Sequence, residues 1–226
     1  LAKNYAQDFL YHFIKQKVEL LSKVLGEVVV PALPKAALTK ATLEKLISFI
    51  QNNPDTQDAT SGLAYFASHG VETDRILTLL RKNVFTHHTQ LVIATARAIL
   101  VWSRLKITED TQELVNQIIN RLIYGDIRIK SAFLAIVIEL QKDSLLTEQQ
   151  QNLLAQHLHS IFNQMNYERL SVEANQAIQA PLIRRNCLLL AEQLVGLGEN
   201  EIELKALIET AQEDPLPEVR NTGNNE

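Results

Sequence analysis

Cysteine, methionine, glycine and proline are all scarce in this chain of 226 residues, and each shortage narrows what it can be. The single cysteine, Cys187, rules out an internal disulfide. That usage fits a reducing compartment, so the expected location is cytoplasmic. Leu188, Leu189 and Leu190 follow Cys187 directly, so a buried structural thiol is expected rather than an activated one. Seven glycines and six prolines leave few helix breakers. The longest clean apolar run is Ala132 to Ile138, far short of the roughly 20 residues a membrane helix needs. Lys15 and Lys17 fall inside a helical pattern and no small-residue cleavage site follows an apolar core, so no signal peptide is read. No membrane partner is expected. The chain opens on Leu1 and its only methionine is Met165. A processed chain or a piece of a larger protein is therefore expected.

Motifs that would carry chemistry are also missing. There is no Walker loop and no Gly-x-Gly-x-x-Gly; Gly196-Leu197-Gly198 lacks the third glycine and closes a helix rather than opening one after a strand. No Gly-x-Ser-x-Gly elbow occurs. Of the histidines His12, His69, His87, His88, His157 and His159, no two lie four residues apart. Neighbours such as His87 and His88 point about 100° apart on a helix and cannot grip one metal from a single face. The carboxylates Glu199, Glu201 and Glu203 have a sufficient structural explanation at the start of a helix, where acids complement the dipole. No catalytic, cofactor or metal residue is assigned, and no cofactor is expected.

Hydrophobic residues make up 46% of the chain and charged residues 21%, enough for a packed core. The net charge of −4 is unevenly spread: +3 over residues 1–50, +1 over 51–130 and −8 over 131–226. The acidic C-terminal part argues against a nucleic-acid surface there.

Helical periodicity dominates. Tyr5, Phe9, Phe13, Leu21, Val24 and Val28 mark a long first helix, closed by Val30-Pro31-Ala32-Leu33-Pro34. A second helix starts near Thr39 or Thr42, and a third ends at His69-Gly70. The following helices are expected over 72–83, 86–106, 108–125 and 126–142, with Thr147 opening the next. A short extra helix is read over 171–180. A separate helix starts near Pro181, a suitable first-turn proline, and a last one spans 199–212. Those beginning near residues 86, 126 and 181 are apolar nearly all round, and those over 72–83, 108–125, from Thr147 and over 199–212 carry one apolar stripe. A helix apolar on every side is buried on every side. Stacked antiparallel helix pairs produce that alternation, and so does a compact multi-helix bundle.

The openings of the apolar helices recur. Asp126-Ile127-Arg128-Ile129-Lys130, Pro181-Leu182-Ile183-Arg184-Arg185 and Asp214-Pro215-Leu216-Pro217-Glu218-Val219-Arg220 align on Ile129, Ile183 and Val219, with spacings of 54 and 36 residues. Leu91 lies 38 residues before Ile129. The last opening resembles the start of the second helix of a HEAT repeat, and periods near 40 are those of HEAT and armadillo arrays. The resemblance spans roughly residues 72–226. It implies an all-α fold of about ten helices, a HEAT-like α-solenoid, with residues 1–70 as N-terminal helices, a cap or a linker. It also implies an aspartate–arginine ladder between repeats, in which the basic residue is structural. Lys130 departs from the pattern, standing where arginine is usual, and Leu91-Val92 lacks a basic partner.

Two destinations for the cations therefore stand open. Arg97, Arg104, Arg128, Lys130, Arg184 and Arg185 form one polar or phosphate-binding face if the solenoid holds, or else they serve ion pairs within the fold. The function expected is a protein-interaction scaffold, not an enzyme, whose partner is another protein or another domain of the parent chain. The alternative is a nucleic-acid-binding arm of a larger nucleic-acid enzyme or defence protein, less favoured because few aromatics accompany the cations.

Overall fold

The computed structural model describes residues 38–53, 57–165, 174–198 and 200–222. The expected first helix over 5–28 and its proline break lie outside these residues, as do His12, Glu199 and residues 223–226. Among the described residues there are ten α-helices and no strand. They are α1 (Lys40–Asn52), α2 (Gln57–Ser68), α3 (Thr73–Val84), α4 (Thr89–Leu105), α5 (Glu109–Tyr124), α6 (Ile127–Lys142), α7 (Glu148–Gln164), α8 (Ala174–Leu194), α9 (Glu201–Gln212) and α10 (Pro217–Arg220). None is long and apolar enough to cross a membrane.

The chain divides into two compact units, residues 1–114 and 115–226, with the division inside α5. In the first, α2 and α4 form the principal contact, α1 packs on α2, and α3 packs on both α2 and α4. In the second, α6 and α8 form the principal contact, α7 and α9 pack on α8 and on each other, and α10 seals against α8 and α9. The alternation expected from the apolar pattern is present. On α4, Val92 to Ala96, Ala98 to Leu100 and Trp102 are all buried, because neighbours cover several sides of that helix. Phe133 on α6 and Phe162 on α7 are fully buried in the second unit. Burying one such side chain contributes about 1.5–3 kcal/mol.

Local chemistry sets the helix ends. Thr147 accepts from the Gln150 amide and the Gln150 side chain returns to the Thr147 amide at 2.9 Å, a reciprocal cap. Asp126 caps α6 by accepting from the Arg128 amide at 2.8 Å. Gly70, at φ 78, ends α2: the Val71 amide reaches the Phe66 carbonyl and the Gly70 amide the Ala67 carbonyl. The same pair of bonds ends α6, but there the left-handed residue is Ser144, at φ 56.

Two expectations need correction. The fifth expected helix begins at Thr89, not Thr86, because His88 acts as its N-cap, with Nδ1 accepting from the Leu91 amide at 3.3 Å. Pro181 does not open a helix. It lies inside the continuous α8, so the expected break between residues 180 and 181 is absent. Proline at that point removes the amide that would bond the carbonyl of residue 177. Ala180 just before it and Ile183 and Cys187 beyond it, all fully buried, supply packing that holds the helix through it.

Candidate functional site

The recurrent helix openings share one physical role. Ile129, Ile183 and Val219 are buried, and the basic residue after each turns back to the C-terminal end of a preceding helix. Lys130 Nζ donates to the carbonyls of Leu122 at 2.8 Å and Ile123 at 3.0 Å, in the last turn of α5. Arg184 Nη1 donates to the Phe162 carbonyl at 3.1 Å, near the end of α7. Arg220 donates to the Asp214 carbonyl just past α9. Cations suit these positions because the last carbonyls of a helix have no intrahelical donor and carry the negative end of its dipole.

Arg184 also meets Asp214. Its Nε and Nη2 lie 2.6 and 2.5 Å from the carboxylate oxygen Oδ2, while Oδ1 accepts from the Leu216 amide at 2.9 Å. The guanidinium stacks on Phe162, 3.7 Å from the ring centroid. The side chains of Arg184 and Asp214 are 8% and 0% exposed, so the pair is a buried element of the second unit.

The six cations read from sequence therefore separate. Lys130 and Arg184 are buried and bonded inside the fold. Arg128 is exposed but held two-fold by Asp126, with Nε at 3.0 Å and Nη2 at 2.8 Å. Arg185 is exposed, on the side of α8 away from its buried residues. Arg97 and Arg104, half-buried on α4, belong to the first unit. Within the second unit, Lys130 and Arg184 turn inward and share no solvent face with Arg128 and Arg185. Of the six, Arg128 and Arg185 are the solvent-facing ones on the paired helices α6 and α8.

Those two helices are joined by polar bonds at their open edge. Ser131 Oγ donates to Gln179 Oε1 at 2.6 Å, and Asn186 Nδ2 donates to the Ser131 carbonyl at 3.2 Å. Beside this seam α8 exposes Leu182 (43%) and Arg185, with Leu189 half-buried one turn on. An apolar pair flanking a cation, on a helix whose other sides are packed, is the feature of this unit best suited to hold a ligand segment.

Within each unit, polar rungs tie helices that lie 31 to 34 residues apart in sequence. Arg75 on α3 grips Glu44 on α1, 31 residues away, with Nη2 to Oε2 at 2.9 Å. Arg81 on α3 pairs with Glu113 on α5, 32 residues away. Gln150 on α7 donates to Asn116 on α5, 34 residues away, at 2.9 Å. The hydrogen bond from Arg75 pulls the exposed Glu44 carboxyl below its ordinary pKa. Exposed pairs of this kind set register more than they stabilise.

The remaining reactive groups have settled surroundings. Cys187 is fully buried between α6 and α8, and desolvation pushes its thiol up to about 12, with Lys130 and Arg184 opposing. A thiol so placed is not a nucleophile. Burial lowers the pKa of Lys130, partly offset by Cys187 and Asp126. His69 Nδ1 lies 2.9 Å from the Tyr65 carbonyl, and His157 meets the Tyr124 ring edge-on. No three His, Cys, Asp or Glu side chains among the described residues are grouped to hold a metal ion.

Sequence reasoning missed the carbonyl acceptors of Lys130 and Arg184, which carry no local signal because they lie on other helices. Compared with protein-family models, curated proteins and solved structures, the chain has no match in any of the three.

Proposed function

We propose that this chain is a helical-repeat interaction scaffold, with no catalysis of its own, that holds a segment of another protein or domain against the open edge of α6 and α8. The observation that carries the reading is the strip Leu182, Arg185 and Leu189 beside the Ser131–Gln179–Asn186 seam. Apolar anchors around a charged group exclude water and orient a partner, the usual anatomy of a small binding patch. The strip favours an acidic segment carrying aliphatic side chains. Three further features support a HEAT-like repeat: the polar rungs at separations of 31, 32 and 34 residues, the recurrent cations on helix ends, and the buried Arg184–Asp214 pair. The nucleic-acid reading loses support because Lys130 and Arg184 are committed inside the fold and Arg128 is paired.

The test is capture from the chain's own cell lysate, with wild type and Arg185→Glu immobilised side by side. A stoichiometric protein retained by wild type through moderate salt, and lost with Arg185→Glu, is the expected result. Nucleic acid that washes off with salt, or a protein retained equally by both, would overturn the reading.

A further inference from the structure

The second unit carries another exposed apolar feature, of opposite charge. Ile202, in the first turn of α9, is 80% exposed, and Leu197 in the preceding turn is 49% exposed. Glu201 and Glu203 flank Ile202, and both are exposed. Glu201 is matched by Lys205 at 2.5 Å, whereas Glu203 faces solvent with no cation among the described residues within salt-bridge distance.

Asn200 Nδ2 donates to the Asn152 carbonyl of α7 at 3.5 Å. A Cβ at Gly198 would run into the Asn152 side chain, so Gly198 lies directly on α7.

We propose that the occupant of this knob is a second copy of the chain: Leu197, Ile202 and Glu203 of one copy seat on Leu182, Leu189 and Arg185 of the next. The inference rests on the reading of the α8 strip as a binding face and names one partner for it. Charge and apolarity agree at once, since an acid-flanked aliphatic knob meets an aliphatic pair around an exposed arginine. The two surfaces lie on different parts of one unit, so the contact is head-to-tail and a pair of copies keeps one free knob and one free strip. The contact is small, so the association is weak and salt-sensitive.

Sedimentation equilibrium of the full chain over a range of concentrations tests this, using wild type, Ile202→Lys, Arg185→Glu and an equimolar mixture of the two variants. Wild type is expected to gain mass with concentration and to lose it as salt rises. Each variant alone is expected to associate at least about tenfold more weakly. The mixture is expected to recover one-to-one pairs, because Ile202→Lys keeps the strip and Arg185→Glu keeps the knob. Wild type that stays monomeric, variants that associate as wild type does, or a mixture that recovers nothing overturns the proposal. A monomeric wild type leaves the partner reading of the strip standing, because lysate capture with Arg185→Glu decides that separately. Circular dichroism of each variant shows whether its fold is intact. Should Ile202→Lys unfold, Ile202→Gln serves in its place.

Discussion

Replacing Asp214 with alanine would leave the Arg184 guanidinium in a site where its side chain is 8% exposed, with its carboxylate partner gone. Two donated bonds at 2.5 and 2.6 Å disappear, and one bond to the Phe162 carbonyl at 3.1 Å and the stack on its ring remain. Breaking a buried ion pair from one side costs about 3–5 kcal/mol, because the surviving charge is uncompensated. Loss of the Oδ1 bond to the Leu216 amide adds roughly 1 kcal/mol, since that carboxylate also caps the turn into α10. Asp214→Ala is therefore expected to destabilise the second unit by about 4 kcal/mol or more. Arg184→Met combined with Asp214→Ala is expected to recover most of that loss, because no charge is left behind. Urea unfolding followed by circular dichroism measures both, and hydrogen exchange over α7 to α10 localises the effect. A single variant costing less than about 1 kcal/mol, or a double variant as unstable as the single, would refute the reasoning.

Three other outcomes are expected. Ser144→Gly should stabilise by about 1 kcal/mol, because serine occupies a left-handed φ of 56 where glycine has no Cβ penalty; a lower midpoint in thermal unfolding would contradict this. Gly125→Ala should destabilise by roughly 1–3 kcal/mol, because its Cβ would press on the Arg121 carbonyl and lie 3.0 Å from Ile129 Cδ1; an unchanged Tm would show that the α5–α6 turn is free to shift. Cys187 has its folded pKa raised from 9.0 to about 12, so its contribution is full below pH 9 and falls as pH rises toward 12. Cys187→Ala should therefore lose less stability than wild type between pH 9 and pH 11 in urea unfolding, and a parallel decline would contradict the burial argument.

Much of the fold is legible because its signals are local. Thr147 with Gln150, Asp126 before Ile127, and Gly70 after the third expected helix each carry their own hydrogen-bond chemistry in the sequence. The apolar runs through Trp102 and through Phe133 announce helices packed on several sides. Pro181 and His88 were not legible in the same way. The proline stays inside a helix because buried neighbours such as Ala180 and Ile183 hold it there, and a histidine caps only as the neutral tautomer that leaves Nδ1 free to accept.

The cations show the same limit more sharply. Arg128 and Lys130 are two residues apart, yet one is exposed and the other is 4% exposed and bonded to two carbonyls. Arg184 and Arg185 are adjacent and divide likewise. Sequence spacing gives the angle between such neighbours on a helix. Which of them turns inward depends on where an open carbonyl or a buried carboxylate waits on another element.

Hydrogen exchange of the chain, alone and with the protein it retains from lysate, tests the central claim most directly. The account expects new protection in α6 and in α8 beyond Pro181, strongest around Leu182 to Leu189, with α3 unchanged. Protection confined to other helices, or none at a saturating level of the partner, would contradict it.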